Sequence, residues 1–376
     1  MYSSRFHWDT RPNLLTQLLA EKRRSGAHLL DLTESNPTRA ALAYPPEIAE
    51  AFRDPRILTY EPSPAGALEA REAVSAYYAA RGHQVAPGRI LLTASTSEAY
   101  AYLFKLLADP GDEILVPRPS YPLFEYLANM ESLKVRQYPL VYHAGWSIDL
   151  DALRAEMSQR TRAVILVNPN NPTGSYVKRG EREALRKLCG ERDAALIADE
   201  VFSDYALGPD GERVPLLAGE YSMSGLSKVA GLPQMKLGWI VAPEEAIEKL
   251  EWIADTYLSV STPVQCAAAR LLAAGEEVQR QIRERTAANL CFAREALAGS
   301  AAGILAVEGG WCITIQVPRV RSEEEWTLEL LRRENVLVQP GFFYDFESEA
   351  FLVASLLTPR KIFEEGIGRM KCLAAE

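Results

Sequence analysis

Ala163-Val164-Ile165-Leu166-Val167-Asn168-Pro169-Asn170-Asn171-Pro172-Thr173-Gly174 is the stretch on which the fold turns. Its first five residues form an unbroken apolar run, the pattern of a strand buried on both faces of a parallel sheet. Pro, Asn and Gly then stop the strand and turn the chain. Such a sheet gathers ligands at the carboxyl ends of its strands. The asparagines therefore stand where a ligand would be met, although the composition alone demands only a turn.

Working outward, short apolar runs alternate with amphipathic stretches. Ile90–Thr93 reads as a strand. Ser97–Ala108 follows with Tyr100, Leu103, Phe104 and Leu107 on one helical face. Asp109-Pro110-Gly111-Asp112 breaks the helix, Glu113–Val116 reads as the next strand, and Pro122–Met130 as a helix. Asp149 is placed to cap a helix whose apolar face is Leu150, Leu153 and Met157. Arg179–Cys189 is helical in pattern, Ala194–Ala198 is a second continuous apolar run, and Lys236–Val241 reads as a further strand. Alternation of this kind implies a doubly wound α/β domain with a mostly parallel sheet and right-handed crossovers.

Beyond Pro243 the pattern changes. Val278–Leu297 is the longest helix expected. A smaller α+β region follows. It has strands near Ile304–Val307 and Trp311–Val317, a helix near Glu323–Arg333, strands near Val336–Gln339 and Phe351–Ser355, and a final helix from Pro359.

Composition narrows the class of function. The chain has 376 residues, enough for two domains, with 48% hydrophobic and 24% charged residues and a net charge of −9. With no long basic run, nucleic acid and anionic membrane are poor partners. No apolar stretch reaches the roughly 20 residues of a membrane helix. Met1–Thr10 lacks the pattern of a signal peptide. The five cysteines (Cys189, Cys266, Cys291, Cys312 and Cys372) are scattered and read as reduced thiols of a cytoplasmic protein. His7, His28, His83 and His143 form no ligand spacing, so neither a metal site nor a histidine triad is expected.

Two further segments end at the same sheet edge. Asp199-Glu200 closes the Ala194–Ala198 run, and Ser224-Gly225-Leu226-Ser227-Lys228 precedes another strand. A lone carboxylate is usually solvated or capping, and a lone lysine is usually a surface charge. Here order and spacing join them: Asn171 stands 28 residues before Asp199, which stands 29 before Lys228. The three pieces together resemble the signature of the class I/II aminotransferases, the aspartate-aminotransferase-like pyridoxal-phosphate (PLP) enzymes of fold type I, and the resemblance extends over nearly the whole chain.

The resemblance implies a large PLP-binding domain at 46–285, a small domain at 286–376, and a segment at 1–45 that packs with the small domain. It implies that Lys228 holds pyridoxal 5'-phosphate as a Schiff base and moves the substrate Cα proton. Asp199 then keeps the ring nitrogen protonated, and Asn171 bonds the phenolate oxygen and approaches substrate. Ser95, Thr96 and Ser97, between a strand and a helix N-terminus, cradle the phosphate. Tyr121 stacks on the ring, and Lys236 meets the phosphate where the family usually has arginine. Tyr60 matches a tyrosine lent to the partner subunit's phosphate, which implies a homodimer with shared sites. Ser35, in Thr33-Glu34-Ser35-Asn36-Pro37, belongs to the segment that closes over substrate, and Trp311 to the substrate wall. The implied activity is amino transfer between an amino acid or related amine and a 2-oxo acid, within amino-acid metabolism. A lyase or decarboxylase on the same scaffold is the rival, and a non-catalytic effector domain a weaker one.

The sequence also departs from that family. Phe202 stands where a tyrosine usually donates to the phenolate oxygen, with Tyr205 three residues on. Gly225 replaces a phosphate-binding serine, with Ser224 beside it. Val353 stands where an arginine fork usually grips the substrate α-carboxylate. Either Arg118, Lys236 or Arg360 substitutes, or the substrate lacks an ordinary carboxylate grip.

Overall fold

The computed structural model describes residues 2–6, 8, 11–208 and 221–375. His7, and Met1, Asp9 and Thr10 of the N-terminal stretch, lie outside the described residues. In chain order the strands are β1 (Leu30–Asp31), β2 (Ile90–Thr93), β3 (Glu113–Arg118), β4 (Lys134–Tyr142), β5 (Trp146–Ile148), β6 (Thr161–Val167) and β7 (Ala195–Asp199). They continue with β8 (Tyr221–Gly225), β9 (Gly238–Val241), β10 (Gly303–Ile304), β11 (Cys312–Gln316), β12 (Val336–Leu337), β13 (Gln339–Pro340) and β14 (Phe351–Ser355).

Eight strands form the main sheet in the order β2-β9-β8-β7-β6-β3-β4-β5. The run from β8 to β4 is parallel throughout. β9 runs antiparallel between β2 and β8, and β5 turns back along β4. β2, β6 and the middle of β3 are largely apolar and almost wholly buried, as their sequences require. Apolar clusters lie on both faces of the sheet, one around Ile114, Ile165 and Ile197, the other around Leu115, Val164 and Leu196.

Several elements differ from the sequence expectation. β4 and β5 were not expected. Residues of β4 are only partly buried and include Pro139, so the strand lacks a buried run. β8, whose sequence Tyr-Ser-Met-Ser-Gly carries no apolar run, is a strand with Ser222 to Gly225 buried; Ser222 Oγ donates to Glu200 Oε2 at 2.7 Å. β9 begins at Gly238 rather than Lys236, because Lys236 takes a left-handed conformation (φ 52°) after the 3₁₀ turn Pro233–Met235. The longest helix runs from Thr262 to Leu297, 36 residues, and not merely from Val278. Gly275 obscured its first half. That glycine is present because a Cβ there would overlap Ala230 Cβ. The boundary expected at 285/286 falls inside this helix.

The second sheet has the order β10-β11-β14-β13 and covers its own core around Ile313, Ile315, Leu352 and Phe363. The strand expected over Ile304–Val307 shrinks to β10, and that over Val336–Gln339 divides between β12 and β13. β1 pairs in parallel with β12, and Lys22 Nζ donates to Asn335 Oδ1 at 2.7 Å, tying the N-terminal segment to the C-terminal region. Among the described residues, no helix is long and apolar enough to cross a membrane.

Candidate active site

The ends of β6, β7 and β8 lie side by side: Val167 pairs with Asp199, and Asp199 with Met223. Asn168 N donates to Asp199 O at 2.8 Å, carrying the order one step past the strands. This edge brings together the three segments that the sequence singled out.

Lys228 sits in the helical turn Leu226–Val229 just after β8. Neighbouring side chains hold the carbonyls of that turn. Tyr205 Oη donates to Lys228 O at 2.5 Å, Gln279 Nε2 to Val229 O at 2.8 Å, and Tyr44 Oη to Gly231 O at 2.7 Å. The amine itself lies 4.9 Å from the Trp311 ring centroid and 5.5 Å from that of Phe202. Burial among these groups lowers the lysine pKa, and the neighbouring Cys312 and Asp199 oppose that shift. Burial likewise pushes the Cys312 thiol up to about 12.

Asp199 is held from two sides. Its Oδ1 accepts from Val201 N at 3.2 Å and its Oδ2 from Tyr100 Oη at 3.0 Å. Burial raises its pKa to about 6, against the lowering effect of those bonds and of the Lys228 charge. Lys228 and Asp199 thus occupy one low-dielectric space and feel each other's charge. In the sequence Tyr100 lies on the apolar face of its helix, as a core residue would. It is buried on the apolar face of helix Thr96–Leu107, and the signal was its polar tip, which in a buried tyrosine needs a partner.

Of the three asparagines after β6, two have local work. Asn168 Oδ1 accepts from Val177 N at 2.9 Å, and Asn170 Oδ1 accepts from Thr173 Oγ1 at 2.9 Å. Asn171 Oδ1 is buried and without a hydrogen-bond partner. An orphaned buried polar atom in the loop that follows β6 is costly unless a ligand meets it.

Helix Thr96–Leu107 starts at the end of β2, with Ser95 as its cap accepting from Glu98 N at 3.2 Å. Glu98 Oε2 in turn accepts from Ala94 N at 2.6 Å. Ser95, Thr96 and Ser97 are thus the cap and first residues of a helix N-terminus, a position suited to an anion. Gly225 has a steric reason: a Cβ there would lie 2.9 Å from Leu237 O and 3.0 Å from Gly238 Cα. Ser224 Oγ is buried and unpartnered, but strand alternation turns it to the opposite face of β8, so it is no direct replacement for a side chain at 225.

The remaining candidates are more dispersed. Tyr121 is half-exposed in the loop after β3, where Ser120 N donates to Tyr344 O at 3.0 Å. Tyr60 is exposed, in a surface groove shared with Ser259 and Gln265. Lys236 and Ser35 are exposed as well. The segment bearing Ser35 is docked on β14, since Ser355 Oγ donates to Glu34 O at 2.6 Å. Trp311 is buried against Phe202 and Tyr205, with ring centroids 5.2 and 5.0 Å away. Tyr205 does not supply the hydroxyl missing at Phe202, because its own is spent on the Lys228 carbonyl. Val353 is buried in β14, opposite Thr314 and Gln339. Arg360 pairs with Glu364 at 2.6 Å, and Arg118 pairs with Glu347 while its Nε is buried with no hydrogen-bond partner.

A buried amine, a buried carboxylate within its electrostatic reach, an asparagine amide whose N–H group can donate, and a helix N-terminus flanked by hydroxyl residues together fit the aldehyde, ring nitrogen, phenolate and phosphate of pyridoxal phosphate. Comparison with known proteins points the same way. The model of the family described as aminotransferase class I and II matches residues 27–361. Human tyrosine aminotransferase is 26% identical over 373 residues, 91% of this chain and 80% of that protein. Nicotianamine aminotransferase 1 of rice is 29% identical over 252 residues, 62% of this chain but only 50% of that protein. The fold is that of alanine aminotransferase from Pyrococcus furiosus, with a TM-score of 0.87 at 24% identity, covering 100% of this chain and 99% of the other. With a family match that takes in most of its length, the chain belongs to the class I and II aminotransferases.

Proposed function

We propose that this protein is a pyridoxal-phosphate-dependent aminotransferase that passes an amino group from an amino acid or related amine to a 2-oxo acid. The observation that carries the reading is that the buried Lys228 amine and Asp199 carboxylate lie within electrostatic reach of each other at one sheet edge, each with a pKa displaced toward its neutral form by burial.

When bound, pyridoxal phosphate supplies an aldehyde that captures amines and a ring that withdraws electrons from the substrate Cα. The chain's own groups do the rest. Lys228, with its pKa lowered, gives up its proton readily and is suited to take a proton from the substrate Cα and return one. Asp199 holds a proton at the ring nitrogen, and Tyr100 fixes the carboxylate's orientation. Asn171 would donate from its amide N–H to the ring's phenolate oxygen, leaving its unpartnered Oδ1 to accept from substrate. Ser95, Thr96, Ser97 and Lys236 hold the phosphate, and Tyr121 covers the ring. Phe202 and Trp311 exclude water around the amine, strengthening its interaction with Asp199.

The exposure of Tyr60 supports a homodimer in which each subunit lends this residue to its partner's phosphate. We assign 46–285 to the large domain, 286–376 to the small domain and 1–45 to a segment packed on the latter, with helix Thr262–Leu297 spanning the boundary. A cytoplasmic place in amino-acid metabolism fits this reading. No observation favours a lyase, a decarboxylase or a non-catalytic effector domain.

The test is a donor panel on the purified, cofactor-loaded protein, followed by the absorbance of the bound cofactor. Amino transfer predicts that a donor bleaches the cofactor's aldehyde band without releasing ammonia or carbon dioxide, and that a 2-oxo acid restores it. Release of either gas with no acceptor present would mean elimination or decarboxylation instead.

A further inference from the structure

The sheet β10-β11-β14-β13 has two unlike faces. Ile313, Ile315, Leu352 and Ala354 point into the small core. By strand alternation, Cys312, Thr314 and Val353 point the other way. Cys312 lies within the electrostatic reach of Lys228, and Trp311 lays its ring beside the lysine amine. The second face is therefore the one that confronts the reactive amine.

That face is uncharged. Thr314 and Val353 are register partners, and Gln339 pairs with Val353 on its other side. Thr314 Oγ1 and Trp311 Nε1 are both buried with no hydrogen-bond partner. The first can donate or accept and the second can only donate. None of the cations considered for this role is carried by this sheet: Arg118, paired with Glu347 but with its buried Nε unpartnered, ends β3, Lys178 pairs with Glu308, Arg360 pairs with Glu364, and Lys236 is in an exposed turn. A carboxylate pressed against Val353 and Thr314 loses its water and gains no fixed opposite charge on this face. A neutral polar group loses far less and can pair with the orphaned Thr314 hydroxyl or Trp311 N–H.

We infer that the subsite formed by Trp311, Thr314 and Val353 selects substrates carrying an uncharged hydrogen-bonding group, such as an amide, ester or hydroxyl, over substrates carrying a free α-carboxylate. The preferred donors are then primary amines and amino-acid derivatives whose acid is absent or masked. The inference rests on the proposed function for the position of the reacting amine, and on the wall itself for the preference.

Two matched probes that carry no amine separate the two readings. Hydrocinnamide and hydrocinnamate share one skeleton and differ in whether a neutral amide or a charged carboxylate is offered to the wall. Calorimetric titration of the cofactor-loaded protein is expected to show the amide binding at least about tenfold more tightly. Val353→Arg is expected to reverse the order, and Thr314→Val to weaken the amide several-fold while leaving hydrocinnamate unchanged. If Val353→Arg fails to fold, the order in the native protein and the Thr314→Val result decide. Equal or tighter binding of the carboxylate by the native protein overturns the inference, as does the absence of millimolar binding by either probe. Neither probe can undergo amino transfer, so a wrong order of affinities counts against the wall alone. Failure of Lys228 to capture the cofactor counts against the proposed function.

Discussion

At the scale of single residues, Asp199 is the most exacting group in the site. An isolated carboxylate this buried prefers its proton, which is why its pKa rises to about 6 from 3.8. A group whose pKa is raised on folding stabilises the fold fully below its unfolded value and loses that contribution as pH climbs through the folded one. In the cofactor-free protein, the charged carboxylate therefore weakens the fold from about pH 4 upward, and fully so above about pH 6. The difference of roughly 2 pKa units corresponds to about 3 kcal/mol. Asp199→Asn is expected to raise the stability of the cofactor-free protein at pH 8 by up to about that amount, and to leave it almost unchanged at pH 3.5. Denaturant melts at the two pH values check this. In the loaded enzyme the same change removes the partner of the ring nitrogen, and turnover is expected to fall by roughly two or more orders of magnitude while some cofactor stays bound. Near-normal turnover would mean that another group serves the ring nitrogen.

Among secondary-structure elements, the turn that bears Lys228 depends on the helix behind it. Gly275 lies directly against Ala230, and a Cβ at 275 would overlap that residue's own Cβ. Gln279, one turn further on, holds Val229 O and also donates to Asp204 Oδ2 at 2.7 Å. Asp204 receives Arg81 Nε at 2.6 Å and Tyr77 Oη at 2.7 Å, so the turn is braced by a largely buried polar network. Gly275→Ala is expected to cost about 1–3 kcal/mol through overpacking and to weaken cofactor capture by displacing the lysine turn. Gly180, in helix Arg179–Arg192, has nothing within 4 Å of a built Cβ. Gly180→Ala is expected to be neutral or to stabilise by up to about 1 kcal/mol. Thermal melts of the two variants, with cofactor affinity measured alongside, separate a packing requirement from helix propensity. Equal behaviour would remove the argument for close approach at 275.

Across the whole molecule, the legible parts of the fold were those with one dominant physical signal. The apolar runs of β6 and β7 announced a buried parallel sheet, and Asp149 caps its helix as its sequence implied, accepting from Ala152 N at 2.9 Å. Strands whose burial depends on distant partners were not legible: β8 is built of serines and glycine, and its pairing with β9 at Gly225 and Gly238 decides its state. The site divided in the same way. Lys228, Asp199 and Asn171 stood out through order and spacing at strand ends. Tyr100 did not, because a tyrosine within an apolar helical stripe looks like core until the carboxylate it meets is known. Tyr205 was a candidate donor toward the ring, and only the folded chain shows its hydroxyl committed to Lys228 O. The assembled molecule makes one central claim, that an amine at 228 and a carboxylate at 199 grip opposite ends of the same bound heterocycle. Borohydride reduction of the loaded protein followed by peptide mass mapping tests it most directly. The account predicts that the reduced cofactor is found on Lys228 and that Lys228→Ala traps none; cofactor fixed to another lysine, or still trapped in Lys228→Ala, would contradict it.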